Sequence, residues 1–230
     1  GIFDSHSFLQ CQLAVLEAHG GLLALRTPFE AAEPLGSGFR VRTGGRDPTT
    51  LTTRRLVNAA GLWAPNLARR IEGMSKEAGP EQRLAKGSYF RLAGRAPFSH
   101  LIYPVPVDGG LGVHATLDLG GAVRFGPDVE WLPRGTKPSE VDYNVDLMRK
   151  EAFEVAIRRY WPDLPPGRLE PDYSGVRPKL RGPDEGFFDF DLQTEETHGI
   201  SGLVNLFGFE SPGLTSSLAI GDAVAMDMMP

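Results

Sequence analysis

The sequence predicts an α/β chain, with a strand, a small-residue turn and a helix near each end and a strand-rich α+β stretch between them. Three observations carry this expectation. Leu56 and Val57 lead through Asn58-Ala59-Ala60-Gly61 into a short helical run; Leu203 to Phe207 leads through a glycine-rich turn into a closing helix; and short β-like runs separated by Gly and Pro turns fill the middle.

Taken in order, Ser5 is the expected N-cap of an opening amphipathic helix. Leu9, Leu13 and Leu16 recur at helical spacing, and Gly20-Gly21 supplies the stop. Strands are expected at Leu22 to Arg26, Phe29 to Glu33, Phe39 to Thr43 and Leu51 to Thr53, with Gly44-Gly45-Arg46-Asp47-Pro48 as a turn, which reads as a meander. A short helix follows from about Pro65 to Ile71, with Pro near its first turn. The polar stretch from Glu72 to Gln82, with Gly73, Gly79 and Pro80, marks a domain crossing.

Strands at Ser88 to Leu92, Leu101 to Tyr103, Leu111 to Thr116 and Ala122 to Phe125 predict a mostly antiparallel sheet. A helix within Asp146 to Tyr160 should cover it through Leu147, Phe153, Ala156, Ile157 and Tyr160, until Pro162, Pro165 and Pro166 end it. Strands near Tyr173 to Val176 and Leu203 to Phe207 precede a last helix on which Leu214, Leu218, Gly221, Ala225 and Met228 share a face. The expected domains are residues 1–80 with 170–230, and residues 81–169.

Composition narrows the partners. The chain has 230 residues, 41% of them hydrophobic, which is ordinary for a folded protein, and a net charge of -5 without a Lys/Arg cluster. Nucleic acid is excluded as a partner, since affinity for a phosphate backbone needs concentrated positive charge. One cysteine, Cys11, allows no internal disulfide, and no Cys/His spacing suits zinc. No run approaches the roughly 20 apolar residues of a membrane span, and no signal peptide is visible. A cytoplasmic protein is expected, with peripheral attachment to the inner membrane left open. Because Gly1-Ile2-Phe3-Asp4 runs straight into a helix without an initiator Met, the chain is expected to be cut from a longer one.

The chemistry concentrates in a few places. Leu206 to Ser217 delivers a buried strand to a turn that opens a helix, where free N–H groups and the positive end of the dipole favour anionic oxygens. Gly208 and Gly213 permit close approach, and Thr215, Ser216 and Ser217 offer hydroxyls; the plain alternative is a capped helix. Asn58 to Gly61 could admit a flat ligand or a pyrophosphate, or could be only a tight connection. Arg177 could grip a carboxylate with its planar fork, with Lys179 adding charge on the same side of an extended chain; a surface ion pair is the alternative. His114 is a candidate base, or a structural histidine. Tyr89 and Tyr103 could point phenols into a pocket, although strand aromatics more often belong to a core. Asp128 and Glu130 could share a strand face, which falls well short of a glycosidase pair.

Together these stretches resemble the flavin oxidoreductases that include D-amino-acid, glycine and sarcosine oxidases, and most closely their L-2-hydroxyglutarate dehydrogenase branch. The resemblance rests on the order and spacing of Gly1 to His6, Val57 to Trp63, Lys86 to Tyr89, Ile102 to Pro106, Leu111 to His114, Gly175 to Lys179 and Ser211 to Ile220. It implies an FAD/NAD(P)-binding, Rossmann-like domain beside a mostly antiparallel substrate domain. It also implies FAD lined by Ala60, Gly61, Gly208, Ser211, Gly213, Leu214 and Thr215.

The reaction implied is oxidation of a 2-hydroxy acid by hydride transfer to the flavin. His114 is then the base, Arg177 the carboxylate clamp, and Tyr89, Tyr103 and Lys179 substrate-positioning groups, with an unidentified electron acceptor. The sequence departs from the family in lacking the Gly-x-Gly-x-x-Gly turn and its following acidic residue. The Rossmann-like domain is therefore expected to be incomplete, its N-terminal segment missing, and the isolated chain is expected not to hold FAD normally. An amino-acid oxidase and a noncatalytic fragment or binding module are the alternatives.

Overall fold

A computed structural model describes residues 1–75, 79–95, 97–105, 112–186 and 188–228. The order begins with α1 (Ser5–Ala18), then β1 (Phe29–Leu35), β2 (Gly38–Thr43), β3 (Thr49–Thr53), β4 (Leu56–Asn58) and α2 (Ala64–Ala68). The middle holds β5 (Arg83–Leu92), β6 (His114–Leu117), β7 (Val123–Gly126), β8 (Glu130–Trp131) and α3 (Lys150–Arg158). The last third holds β9 (Leu169–Lys179), β10 (Asp191–Gln193), α4 (Glu195–His198), β11 (Leu203–Phe207) and α5 (Ser217–Asp227). The chain divides into two compact units, residues 1–23, 85–131 and 141–176, and residues 24–84, 132–140 and 177–230.

The first unit is built on a five-stranded sheet in which β6, β7, β5 and β8 lie in that order and β9 also pairs with β5. The β6–β7, β7–β5 and β5–β8 pairs are antiparallel. Alternation along β6 and β7 turns Ala115, Val123 and Phe125 inward, where they are almost fully buried. Phe153 and Ile157, one helical turn apart on α3, close over them, and the Phe153 and Phe90 rings lie 4.7 Å apart. Burying each such side chain contributes about 1.5–3 kcal/mol. The helical run starts where Asp146 caps a 3-10 turn by accepting from the Met148 amide at 2.9 Å.

In the second unit, β1, β2 and β3 form the antiparallel meander. Phe39 and Val41 of β2 meet Ala32, Ile71 and Leu203 in one core cluster. A second sheet has the order β10, β11, β4, with β10 antiparallel and β4 parallel to β11. Phe207 is buried against Ala64 and Ala68 of α2, which follows β4.

Several expectations are corrected. Leu22 to Arg26 forms no strand, and Leu22 and Leu25 are exposed. Asp4, not Ser5, caps α1, accepting from the Ser7 amide at 3.0 Å, and none of that helix's residues is buried. The helix from Pro65 ends at Ala68, because Arg70, Ile71 and Glu72 turn back to bond and bridge with Ala32 of β1. Leu101 to Tyr103 contributes only an isolated bridge, between Ile102 and Ala115. Leu214 lies in the turn before α5 rather than on it. Leu111 and Pro106 fall outside the described residues.

Candidate functional site

The second unit sets two turns side by side. Because β4 and β11 are parallel and Asn58 pairs with Asn205, the chain leaves both strands at the same end of the sheet. In open α/β sheets that end is where ligands collect. After β4, Gly61 has φ +54°, and a Cβ built on it would meet nothing within 4 Å; Ala60 before it is half-buried. After β11, Gly208 has φ +71° and lies against Leu180, where a Cβ would sit 2.6 Å from the Leu180 side chain. The backbone then folds tightly, the Gly213 amide donating to the Glu210 carbonyl at 2.5 Å. Thr215 and Ser216 donate their hydroxyls to the Pro212 carbonyl at 3.0 and 2.9 Å. Their oxygens keep accepting capacity. Ser211, Leu214 and Thr215 are exposed. Around these turns Val57, Trp63, Leu214 and Leu218 expose 41 to 58% of their surface.

Arg177 and Lys179 leave the end of β9 and meet a residue of the second turn. Lys179 Nζ donates to Glu210 Oε1 at 2.5 Å, and Arg177 Nη1 lies 3.5 Å from Glu210 Oε2. All three side chains are partly or largely withdrawn from solvent, Glu210 to 16% exposure. The two cations share a face of the extended strand as expected. Their anionic partner is the residue that the motifs left without a role.

The first unit holds the remaining candidates. His114 opens β6, half-buried, and its ring stacks on that of Tyr103 with centroids 4.0 Å apart and planes 14° from parallel. Tyr103 is 64% exposed. Tyr89 on β5 stacks on Tyr173 at 4.6 Å, and burial pushes the Tyr173 phenol up from its usual range. The expected positioning tyrosines thus fall in two separate aromatic pairs, only one of which includes the histidine. Asp128 and Glu130 both face Arg149, which binds them as a structural ion pair rather than leaving an acid and a base.

Asn205 carried no expected role, although an Asn inside the apolar run Leu203 to Phe207 was the available signal, and Asn58 was read only as part of the turn from Asn58 to Gly61. Their side chains bond each other, and Asn58 also donates to the Ala64 carbonyl beyond the first turn. Elsewhere in this unit a concavity of about 760 Å³ is lined by Arg54, Arg55, Glu195 and Glu196. It opens near Leu203, where β11 begins, away from the glycine turns, and its charges are mixed. Among the described residues there is no cluster of metal-ligating side chains, and no helix is long and apolar enough to cross a membrane.

The family described as FAD dependent oxidoreductase matches residues 1–226. A mitochondrial L-2-hydroxyglutarate dehydrogenase of Arabidopsis thaliana is 53% identical over 176 residues, covering 74% of this chain and 36% of its own length. An L-2-hydroxyglutarate dehydrogenase of Salmonella houtenae is 28% identical, covering 89% of this chain and 54% of its own length. Among solved structures, dithionite-reduced L-alpha-glycerophosphate oxidase from Mycoplasma pneumoniae with FAD bound superposes with a TM-score of 0.77 at 20% identity, over 95% of this chain and 54% of that one. That likeness shows a shared fold. The chain thus spans 36% and 54% of the two curated relatives' lengths, and it belongs to the FAD dependent oxidoreductase family.

Proposed function

We propose that the chain forms the acid-binding part, and part of the cofactor site, of an enzyme that oxidises a 2-hydroxy acid, L-2-hydroxyglutarate, to 2-oxoglutarate. The observation that carries this reading lies within one packed unit. The second of two glycine turns, which leave one sheet at the same end, is tied to the cations Arg177 and Lys179 through Glu210. The 53% identity to the Arabidopsis dehydrogenase supports the hydroxy acid over an amino acid.

The residues present fit FAD. Gly61 leaves room that a side chain would fill, and the exposed Val57, Trp63 and Leu214 suit a flat aromatic ligand. In this reading Ala60, Gly61, Gly208, Ser211, Gly213, Leu214 and Thr215 line the cofactor, which when bound accepts the hydride. Arg177 holds the substrate carboxylate through its fork, with Lys179 beside it. His114 takes the hydroxyl proton, with Tyr103 fixing its ring plane, and Tyr89 orients the acid. Residues 1–80 with 170–230 are the cofactor-binding part and residues 81–169 the substrate part. An unidentified acceptor removes the electrons, in the cytoplasm or at the inner-membrane surface.

The test is anaerobic titration of the full-length, FAD-loaded protein. L-2-hydroxyglutarate should bleach the flavin, and Arg177→Met should weaken its binding on the order of 10- to 100-fold with FAD retained, as losing a charged hydrogen bond implies. Bleaching by glycine, sarcosine or D-amino acids alone would make the protein an amino-acid oxidase, and bleaching by glycerol 3-phosphate alone would replace the carboxylate with a phosphate.

A further inference from the structure

Two cations placed to receive an acid already face an internal one. Glu210 is the shared anionic partner of Arg177 and Lys179, and its side chain is only 16% exposed. The contact is unequal. Lys179 makes a short hydrogen bond to Oε1, whereas Oε2 is buried, lies 3.5 Å from Arg177 Nη1, and has no hydrogen-bond partner among the described residues. A guanidinium can present five donors in a fixed fork, so a single long contact leaves Arg177's bidentate geometry unspent on Glu210. The Lys179 charge, by contrast, is neutralised at close range. Glu210 is also held firmly, since its amide donates to Gly208 O at 2.8 Å and its carbonyl accepts from the Gly213 amide.

We infer that Glu210 is a positioning and specificity residue: it cancels the charge of Lys179 and leaves a net single positive charge, carried by Arg177, for one substrate carboxylate. The inference rests on the reading that Arg177 and Lys179 form the acid-binding end of the site. Two uncancelled cations would hold an anionic substrate and its anionic product more tightly, at the expense of release. A site neutral overall would lose the Coulombic attraction. At this contact one carboxylate, Glu210, faces two cations, which places the site between those limits.

The experiment is calorimetric titration of the full-length, FAD-loaded protein with 2-oxoglutarate, with KM and kcat for L-2-hydroxyglutarate measured alongside. Glu210→Gln keeps the side-chain length and removes the charge. It should lower the Kd of 2-oxoglutarate and the KM by about tenfold at low ionic strength, and the gain should shrink as salt rises. A merely structural loss at Glu210 would not tighten binding. Because Glu210→Gln leaves Lys179 without its partner, it is also made in the Lys179→Met background, where the whole pair is gone. Lys179→Met alone should weaken binding about tenfold, and adding Glu210→Gln should recover most of that loss. Unchanged or weaker binding on adding Glu210→Gln, with FAD retained, would overturn the inference. If 2-oxoglutarate binds the unmodified protein and Arg177→Met does not weaken it, the reading beneath fails instead, and the inference with it.

Discussion

Asn58 reaches across the parallel pair of β4 and β11 to Asn205, its Nδ2 donating to Asn205 Oδ1 at 2.9 Å between side chains that are 5% and 0% exposed. The same Nδ2 donates at 2.8 Å to the carbonyl of Ala64, where α2 begins. One side chain therefore fixes the strand, its neighbour and the helix after the Ala59-Ala60-Gly61 turn. Such a buried network is strongest when every member is satisfied, and here Asn58 Oδ1 and Asn205 Nδ2 have no hydrogen-bond partner among the described residues.

Asn58→Ala should strand the Ala64 carbonyl and Asn205 Oδ1 away from water, at about 1–3 kcal/mol for each buried group left unpaired. Urea denaturation should show a midpoint shifted down with an unchanged slope. Replacing Asn58 and Asn205 together by leucine should cost less than the sum of the two single changes, because their mutual hydrogen bond is lost only once and Asn205 Oδ1 is no longer left alone, while the Ala64 carbonyl still loses its donor. A strictly additive result would show that the two side chains are not coupled.

Gly208 is the second exacting position. Its φ of +71° disfavours any Cβ, and the Leu180 side chain occupies the space that one would need. Gly208→Ala should destabilise the unit by about 1–3 kcal/mol. Adding Leu180→Ala should relieve the crowding but not the dihedral, so thermal denaturation of the double variant should recover nothing of the backbone term.

His114→Ala should slow anaerobic flavin reduction by about 10²–10⁴-fold, as for loss of a general base, with a smaller change in substrate Kd. Stopped-flow reduction separates the two. An unchanged reduction rate would remove His114 as the base and leave its stacking on Tyr103 as a structural contact.

His198 links pH to stability. Burial pushes its pKa below the ordinary histidine value, and its Nδ1 accepts from the Ile200 amide at 3.2 Å, which requires that nitrogen to be unprotonated. The unfolded chain therefore takes up the proton first as pH falls. Stability from this group is full above about pH 6.5 and declines below it, until the folded pKa is passed. Denaturant midpoints between pH 8 and 5 should fall more steeply for the parent than for His198→Gln, and parallel curves would refute the linkage.

Much of the fold was legible because it is local. The meander of β1 to β3 follows from alternating residues broken by turn residues such as Gly36, Gly44 and Gly45, and α3 follows from Phe153 and Ile157 one turn apart. What failed was also physical. Leu22 to Arg26 has strand-like composition, but a strand exists only with a hydrogen-bonded neighbour, and it finds none. β10, α4 and β8, of two to four residues each, are too short to carry a period, and β8 finds its partner only in β5, where Lys86 lies opposite Glu130.

The sequence by itself determined where the glycine turns fall, which residues can carry positive charge at the end of β9, and the family to which the chain belongs, since these depend on residue type and short spacing. Only the tertiary structure decided that Glu210 shares its carboxylate between Arg177 and Lys179, and that Asn58 and Asn205 face each other. Those pairings join residues 31 to 147 positions apart, and a side chain's charge and donors acquire partners only when packing brings the strands together.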